Sequence, residues 1–322
     1  LEVDSGIGGS PGSSQSVISV PFANDETLFY IFTTQEVGTG LEYAFKYSVF
    51  DIKANSGQGG IIEKDITLFT KITERITATA NWVVIHEYGN NNFRAYRIQP
   101  DGLSNPVVSS LGSIHFTTPA PEATAQGYMK IEGDKLAVAL SESPSGPSYV
   151  ELFDWDEATG RVVNFEQIDV ISDISTPGQV YGVAFSPGGN KLYATVQLQG
   201  GGSTLVEYRA DSLDRINFIT QQPVGDLLGA IQRAPDGQLY VAVEGSSNLG
   251  VIQVNEDTVL NSVYNPTGFA LAGGTSSRLG LPNFSSSFGS AIQVPGILVS
   301  NPVCVGQQIN LAASTTSSID TV

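Results

Sequence analysis

The sequence predicts an all-β protein: a β-propeller of four-stranded antiparallel blades over residues 1–296, followed by the first strands of an Ig/PKD-like β-sandwich over 297–322. Three observations carry this. One four-beat strand pattern returns five times at the spacing of a propeller blade, turn residues fall at the junctions of the beats, and no helix-period stretch of about ten residues interrupts them.

The clearest beat is a strand that opens after a turn, anchored by Leu28, Val83, Leu136, Leu192 and Leu239. Successive anchors stand 55, 53, 56 and 47 residues apart. Before each anchor lies a first strand: SVISVPF (16–22), RITATA (75–80), GYMKIE (127–132), VYGVAFS (180–186) and LLGAIQR (227–233). After it comes a third strand with aliphatic or aromatic residues at every second position: YSVFDI (47–52), FRAYRI (93–98), YVELFDW (149–155), LVEYRA (205–210) and LGVIQV (249–254). Such alternation is that of antiparallel sheet. The fourth strands are IIEKDITLF (61–69), PVVSS (106–110), RVVNFEQI (161–168), RINFIT (215–220) and VLNSVY (259–264). The turns SPGGNK (186–191), APDGQ (234–238) and EGDK (132–135) place Gly beside Asp, Asn or Pro between first and second strands, and DEATGR (156–161) does so between third and fourth. Residues 70–75 read as a connection between blades. Five repeats leave the first 14 residues and 265–297 to complete the ring, which predicts six or seven blades counting partial ones.

Composition narrows the partners. The 35 Gly and 16 Pro suit a fold made of hairpins, and the net charge of −17 opposes nucleic acid and anionic lipid, whose recognition needs clustered cations. The single cysteine, Cys304, excludes an internal disulfide, and no apolar span is long enough to cross a bilayer. The opening LEVDSGIGGSPGSSQ lacks a signal peptide's basic and apolar regions and reads as a mature or clipped end. At the other end, 265–294 is glycine-rich and irregular; NPVCVGQQINLAAS then resembles the first two strands of a sandwich that cannot close on its own.

The runs LFYIFTTQEV (28–37), LEYAFKYSVFDIKANSGQGGIIEKDITLF (41–69), ITERITATAN (72–81), WVVIHEYGNNNFRAYRIQPDG (82–102), YGVAFSPGGNKLYAT (181–195), LGAIQRAPDGQLYVA (228–242) and GLPNF (280–284) together resemble the propeller of large secreted Bacteroidetes proteins. In that family PKD or immunoglobulin-like repeats and a sorting domain of the gliding-motility-associated, type IX secretion kind commonly follow. The resemblance spans roughly residues 15–315 and implies a module of a longer secreted or cell-surface product, with partners among other surface or secretion-system proteins or glycans. Two departures are a further N-terminal blade, usual in the family and lacking here, and the absent sorting domain.

No residue is nominated as catalytic, cofactor-binding or metal-binding. His86 and His115, the two histidines, lie 29 residues apart in different strand settings, so each is expected to be structural rather than half of a zinc site. Ser143 and Ser186 stand in turns without a G-x-S-x-G elbow. DWDEATG (154–160) lacks the spacing of a calcium loop. Arg209, Arg215 and Arg233 suit edge charges, and GQGG (57–60) and QGGGS (199–203) precede no helix. Tyr43, Tyr47, Tyr88, Tyr96, Tyr149, Tyr193, Tyr208 and Tyr240 recur at equivalent positions and are expected to pack between blades. The primary expectation is therefore a non-catalytic extracellular module for adhesion or protein interaction. The alternatives are a carbohydrate-binding module and a lactonase-like propeller enzyme, which would need His, Glu and Arg to converge at the central channel.

Overall fold

The computed structural model describes residues 6–38, 42–115, 124–141, 148–170, 176–212, 215–221, 226–234, 236–257 and 259–285. Ser143, Cys304 and the sandwich expected at 297–322 lie outside them, as do the side chains of 215–221, Arg215 among them.

Five antiparallel sheets follow one another along the chain. Blade 1 is β1 (Val17–Phe22), β2 (Asp25–Thr33), β3 (Phe45–Asp51) and β4 (Gly60–Phe69). In blade 2, β5 (Ile72–Ala78), β6 (Trp82–Glu87) and β7 (Asn92–Gln99) are completed by two short strands on β7, β8 (Gly102–Leu103) and β9 (Val107–Ser110). Blade 3 is β10 (Met129–Glu132), β11 (Lys135–Ser141), β12 (Ser148–Asp156) and β13 (Arg161–Asp169). Blade 4 is β14 (Gly178–Phe185), β15 (Lys191–Leu198), β16 (Ser203–Arg209) and β17 (Arg215–Gln221). Blade 5 is β18 (Leu228–Arg233), β19 (Leu239–Val243), β20 (Asn248–Gln253) and β21 (Val263–Ala270). First strands of successive blades touch, β1 to β5, β5 to β10, β10 to β14 and β14 to β18, which sets them around the axis. All five anchors lie on second strands, and Val83, Leu136, Leu192 and Leu239 are fully buried.

Three expectations are corrected. Residues 72–75 belong to a strand rather than a connection, because β5 starts at Ile72 and carries Arg75 in its middle. The fourth strand of blade 5 begins at Val263, not Val259. The residues before it are drawn onto blade 4: Glu256 accepts from Ser186 Oγ (2.8 Å) and Gly188 N–H (2.7 Å), and Lys191 Nζ donates to the Leu260 carbonyl (2.6 Å). The fully buried Lys191–Glu207 pair (2.8 Å) anchors this loop, with Glu207 also accepting from Ser262 Oγ (2.7 Å). Finally, the ring has five blades, not six or seven. Residues 6–16 add no strand, and after blade 5 the described residues add only β22 (Asn283–Phe284), parallel to β1 with Asn283 opposite Ile18 and Phe284 opposite Ser19.

Apolar side chains at alternate positions fill the spaces between blades. One cluster joins blades 1 and 2 (Phe32, Phe45, Ile76, Val83), a second blades 2 and 3 (Trp82, Phe93, Val138, Trp155), a third blades 3 and 4 with small residues of blade 5 (Val150, Val183, Leu192, Ala230), and a fourth blades 4 and 5 (Tyr193, Leu205, Ile231, Leu239). At the blade 2–3 boundary the Trp82 and Trp155 rings meet edge to face at 6.0 Å, and both indole N–H groups donate to Glu157, Trp82 to its carbonyl and Trp155 to Oε2. Gly160 is required there: its φ is +70°, and a Cβ would stand 2.4 Å from the Trp82 ring.

Candidate functional site

The turns between strands 1 and 2 and between 3 and 4 of each blade lie at one end of the ring, and the 2–3 loops and interblade connections at the other. The polar residues with unusual surroundings gather at the second end, across blades 1 to 3. Arg75 is their centre. It is fully buried and donates Nε to the Ala139 carbonyl (3.0 Å), Nη1 to the Thr124 carbonyl (2.8 Å), and Nη2 to the carbonyls of Ala139 (2.6 Å) and Gln126. A guanidinium's planar fork can satisfy several carbonyls at once, as a lysine could not. Burial draws its pKa down to about 10, so Arg75 stays charged at neutral pH.

Two buried carboxylates flank that charge. Glu74 accepts from Ser14 N–H and Oγ (both 2.8 Å) and Val37 N–H (2.9 Å), tying the segment ahead of β1 to blade 2. Glu151, from blade 3, accepts from Ser113 N–H (3.0 Å) and His115 Nε2 (3.1 Å). Burial raises the pKa of both, against the pull of Arg75.

His86 and His115, distant in sequence, are stacked here with ring centroids 3.5 Å apart at 14°. Both are fully buried. His115 Nδ1 faces Arg75 Nη1 (3.4 Å), which can only donate, so the ring carries its proton on Nε2 and gives it to Glu151. His86 donates Nδ1–H to the Glu87 carbonyl (2.7 Å), which leaves Nε2 a bare lone pair, and that atom has no hydrogen-bond partner among the described residues. Burial, then the neighbouring His115 and Arg75, push the His86 pKa well below its usual value; burial and Arg75 do the same to His115. Both rings are therefore neutral at pH 7. The segment carrying His115 roofs the pair, with Gly89 N–H donating to the His115 carbonyl (2.8 Å) and His115 N–H to the Asn90 carbonyl (3.1 Å).

The two histidines, read as lying in different strand settings, are brought together by this stack. The convergence of His86, His115, Arg75, Glu74 and Glu151 was not legible, because β5, β6, β12 and an interblade connection contribute to it and no local motif spans them. The one available signal was Arg75 and Glu74 inside an otherwise apolar inner strand.

The other singled-out residues lie elsewhere. Asp154 pairs with Lys135 (2.6 Å), Asp156 closes its own turn on Thr159, and Glu157 holds the tryptophans, so DWDEATG spends its carboxylates on protein donors. Ser186 is buried in its turn, Arg209 pairs with Asp211 (3.4 Å) and Arg233 with Glu132 (3.0 Å). Tyr193 and Tyr208 are fully buried and Tyr96 nearly so, while Tyr43 and Tyr88 stack at 5.2 Å on the rim. A polar cleft of about 350 Å³ opens at the first end between the turns of blades 3 and 4, lined by Glu132, Asp134, Lys135, Asn190 and Asp211. Among the described residues no group of three or more His, Cys, Asp and Glu is arranged to hold a metal ion, and no helix is long and apolar enough to cross a membrane.

No family model matches the sequence, and no curated protein matches it either. Solved structures do share its fold. A Bacteroides uniformis protein described as a candidate 6-phosphogluconolactonase is 15% identical, over 83% of this chain and 89% of its own, with a TM-score of 0.40. The Pseudomonas aeruginosa periplasmic gluconolactonase is 14% identical over 80% and 84%, TM-score 0.42. The Dos1 propeller is 12% identical over 79% and 62%, TM-score 0.45. At these identities the likeness is one of fold. The expectation that this chain is not an enzyme is corrected: the inventory argument behind it treated the histidines as separate, and the fold stacks them beside Arg75 and Glu151.

Proposed function

We propose that the chain is a hydrolytic propeller enzyme of the lactonase-like kind, opening small cyclic esters at the end of the ring where His86 and His115 meet. The observation that carries this is the bare, partnerless Nε2 of His86, a lone pair fixed in the base tautomer beside a buried guanidinium. A buried polar atom left unpaired costs stability and calls for an occupant. Water is the occupant this nitrogen suits. In the proposed step a water oxygen attacks the ester carbonyl while His86 Nε2 takes its proton, then the ring C–O bond breaks and the imidazolium returns the proton to the leaving alkoxide, giving a hydroxy acid. The His86 base is weak on its own, but negative charge developing on the carbonyl oxygen favours its protonation, and the Arg75 field favours that oxyanion. His115, held by Glu151, keeps the stacked ring in place. The resemblance of its repeats to the propeller of large secreted Bacteroidetes proteins supports placing this one outside the cytoplasm, as a module of a longer surface protein.

The test is lactone opening followed by pH-stat across γ- and δ-lactones. Turnover that falls about a hundredfold in His86→Gln, with the melting temperature held, is the expected result. A folded wild-type chain that opens none of the panel, or a His86→Gln variant at full rate, overturns the proposal.

A further inference from the structure

The four antiparallel strands of each blade come from one continuous stretch of chain, and among the described residues only the two-residue β22 is added to a blade from elsewhere, on the inner edge of blade 1. The seam between blades 5 and 1 must then be closed by something else. Among the described residues no apolar cluster spans it, whereas each of the other four seams has one. On blade 1 the faces alternate accordingly: Ile18, Val20, Tyr30 and Phe32 are buried towards blade 2, while Val17, Ser19, Phe29 and Ile31 are partly or well exposed. The second strand of blade 2, by contrast, is buried along its whole length.

What crosses the seam is the stretch 277–285. It leaves blade 5 through Ser277 N–H to the Ser246 carbonyl (2.8 Å), crosses β18 where Ala230 N–H donates to the Leu279 carbonyl (2.8 Å), passes the Tyr128 hydroxyl at Leu281 and ends in β22 on β1. Its side-chain bonds at the axis run through Asn283. Asn283 donates Nδ2 to the Ile76 carbonyl (3.1 Å) of blade 2 and accepts at Oδ1 from Lys130 Nζ (2.6 Å) of blade 3, which also donates to Gln232 Oε1 (2.5 Å) of blade 5. Arg278, Gly280 and Pro282 between these contacts are exposed. Gly229 has no side chain because the stretch lies against it, with a Cβ placed 2.2 Å from the Leu279 carbonyl oxygen.

We propose that residues 277–285 form a displaceable axial strap, a latch that covers Lys130 and holds blade 5 to blade 1 while the five blades stand without it. Its release exposes the Lys130 amine at the axis and opens the ring at one seam, taking only Leu281 from the edge of the blade 3–4 cluster and leaving the apolar packing between the blades themselves in place. The lysine is a ready reporter: its amine is buried and held by Asn283 and Gln232 while the strap is closed, and meets reagent in solvent only when the strap leaves.

The experiment pairs amide exchange with acetylation of the whole chain by acetic anhydride, read by peptide mass spectrometry. In Gly229→Ala the strap cannot sit on β18, and in Asn283→Leu it loses its axial bonds. The expected result in both is exchange at Ala230 faster by about tenfold and a comparable gain in Lys130 acetylation, with exchange at Val84, Val138 and Ala194 unchanged, the behaviour of a local opening. Faster exchange at all of these amides together would show the strap to be part of one cooperative unit, and unchanged Lys130 labelling in both variants would show that it does not gate the axis. Either result overturns the proposal.

Discussion

The boundary between blades 2 and 3 and the seam between blades 5 and 1 do the same job in opposite ways. At the first, an apolar cluster of tryptophans, phenylalanines and valines is overlaid by Arg75, which reaches from β5 to three or more carbonyls across the gap. At the second, a short parallel ladder, the backbone bonds of Ser277, Leu279 and Leu281, and Asn283 are found among the described residues. The difference teaches that a propeller's local stability is not uniform: burial of apolar area sets it at four seams, and a few hydrogen bonds of modest net worth set it at the fifth.

The sharpest way to break this comparison is to remove one polar residue from each side. Arg75→Met leaves Glu74 and Glu151 buried without their cation, which costs about 3–5 kcal/mol, whereas Asn283→Leu costs about 1–2 kcal/mol. Urea unfolding of the two variants checks it, and equal losses would place the seams on the same footing. The next effect is that of pH. The folded pKa values of His86 and His115 lie well below their unfolded value of about 6.5, so below that pH the unfolded chain binds protons that the native state refuses. Stability is therefore whole above about pH 6.5 and falls with acidification by up to about 1.4 kcal/mol per pH unit for each histidine. Glu74 and Glu151, raised in the fold, act the other way, giving stability in acid that is lost as pH rises through their folded values. The balance checks out as a slope between about pH 5 and 6.5 that His115→Gln roughly halves in urea titrations. Gly160→Ala, which pushes a methyl into the Trp82 ring from a positive-φ position, costs about 1–3 kcal/mol, on the scale of Asn283→Leu and visible as a lowered melting temperature with blade 2–3 amides exchanging faster.

Leu136, Leu192 and Leu239 show how far local reading reaches. Each is set by alternation and by the turn before it, and Gly133, Gly189 and Gly237 in those turns take the positive φ that their motifs imply. Val259 shows where that reading stops. VLNSVY alternates as a strand should, yet Lys191 and Glu207, more than 50 residues earlier, draw its first half into a loop. The ring count failed for a related reason: a blade's length can be read from one repeat, but the number that closes depends on how every blade packs on the next.

What the sequence determined by itself was the repeating unit, its hairpins and the apolar faces between blades, because strand alternation and turn chemistry act over a few residues. Only the tertiary structure decided that Arg75, His86, His115 and Glu151 share one buried space and that Asn283 meets Lys130 on the axis. Those meetings join residues from different blades, and the buried, low-dielectric surroundings that fix their tautomers and pKa values exist only after the blades have closed around them.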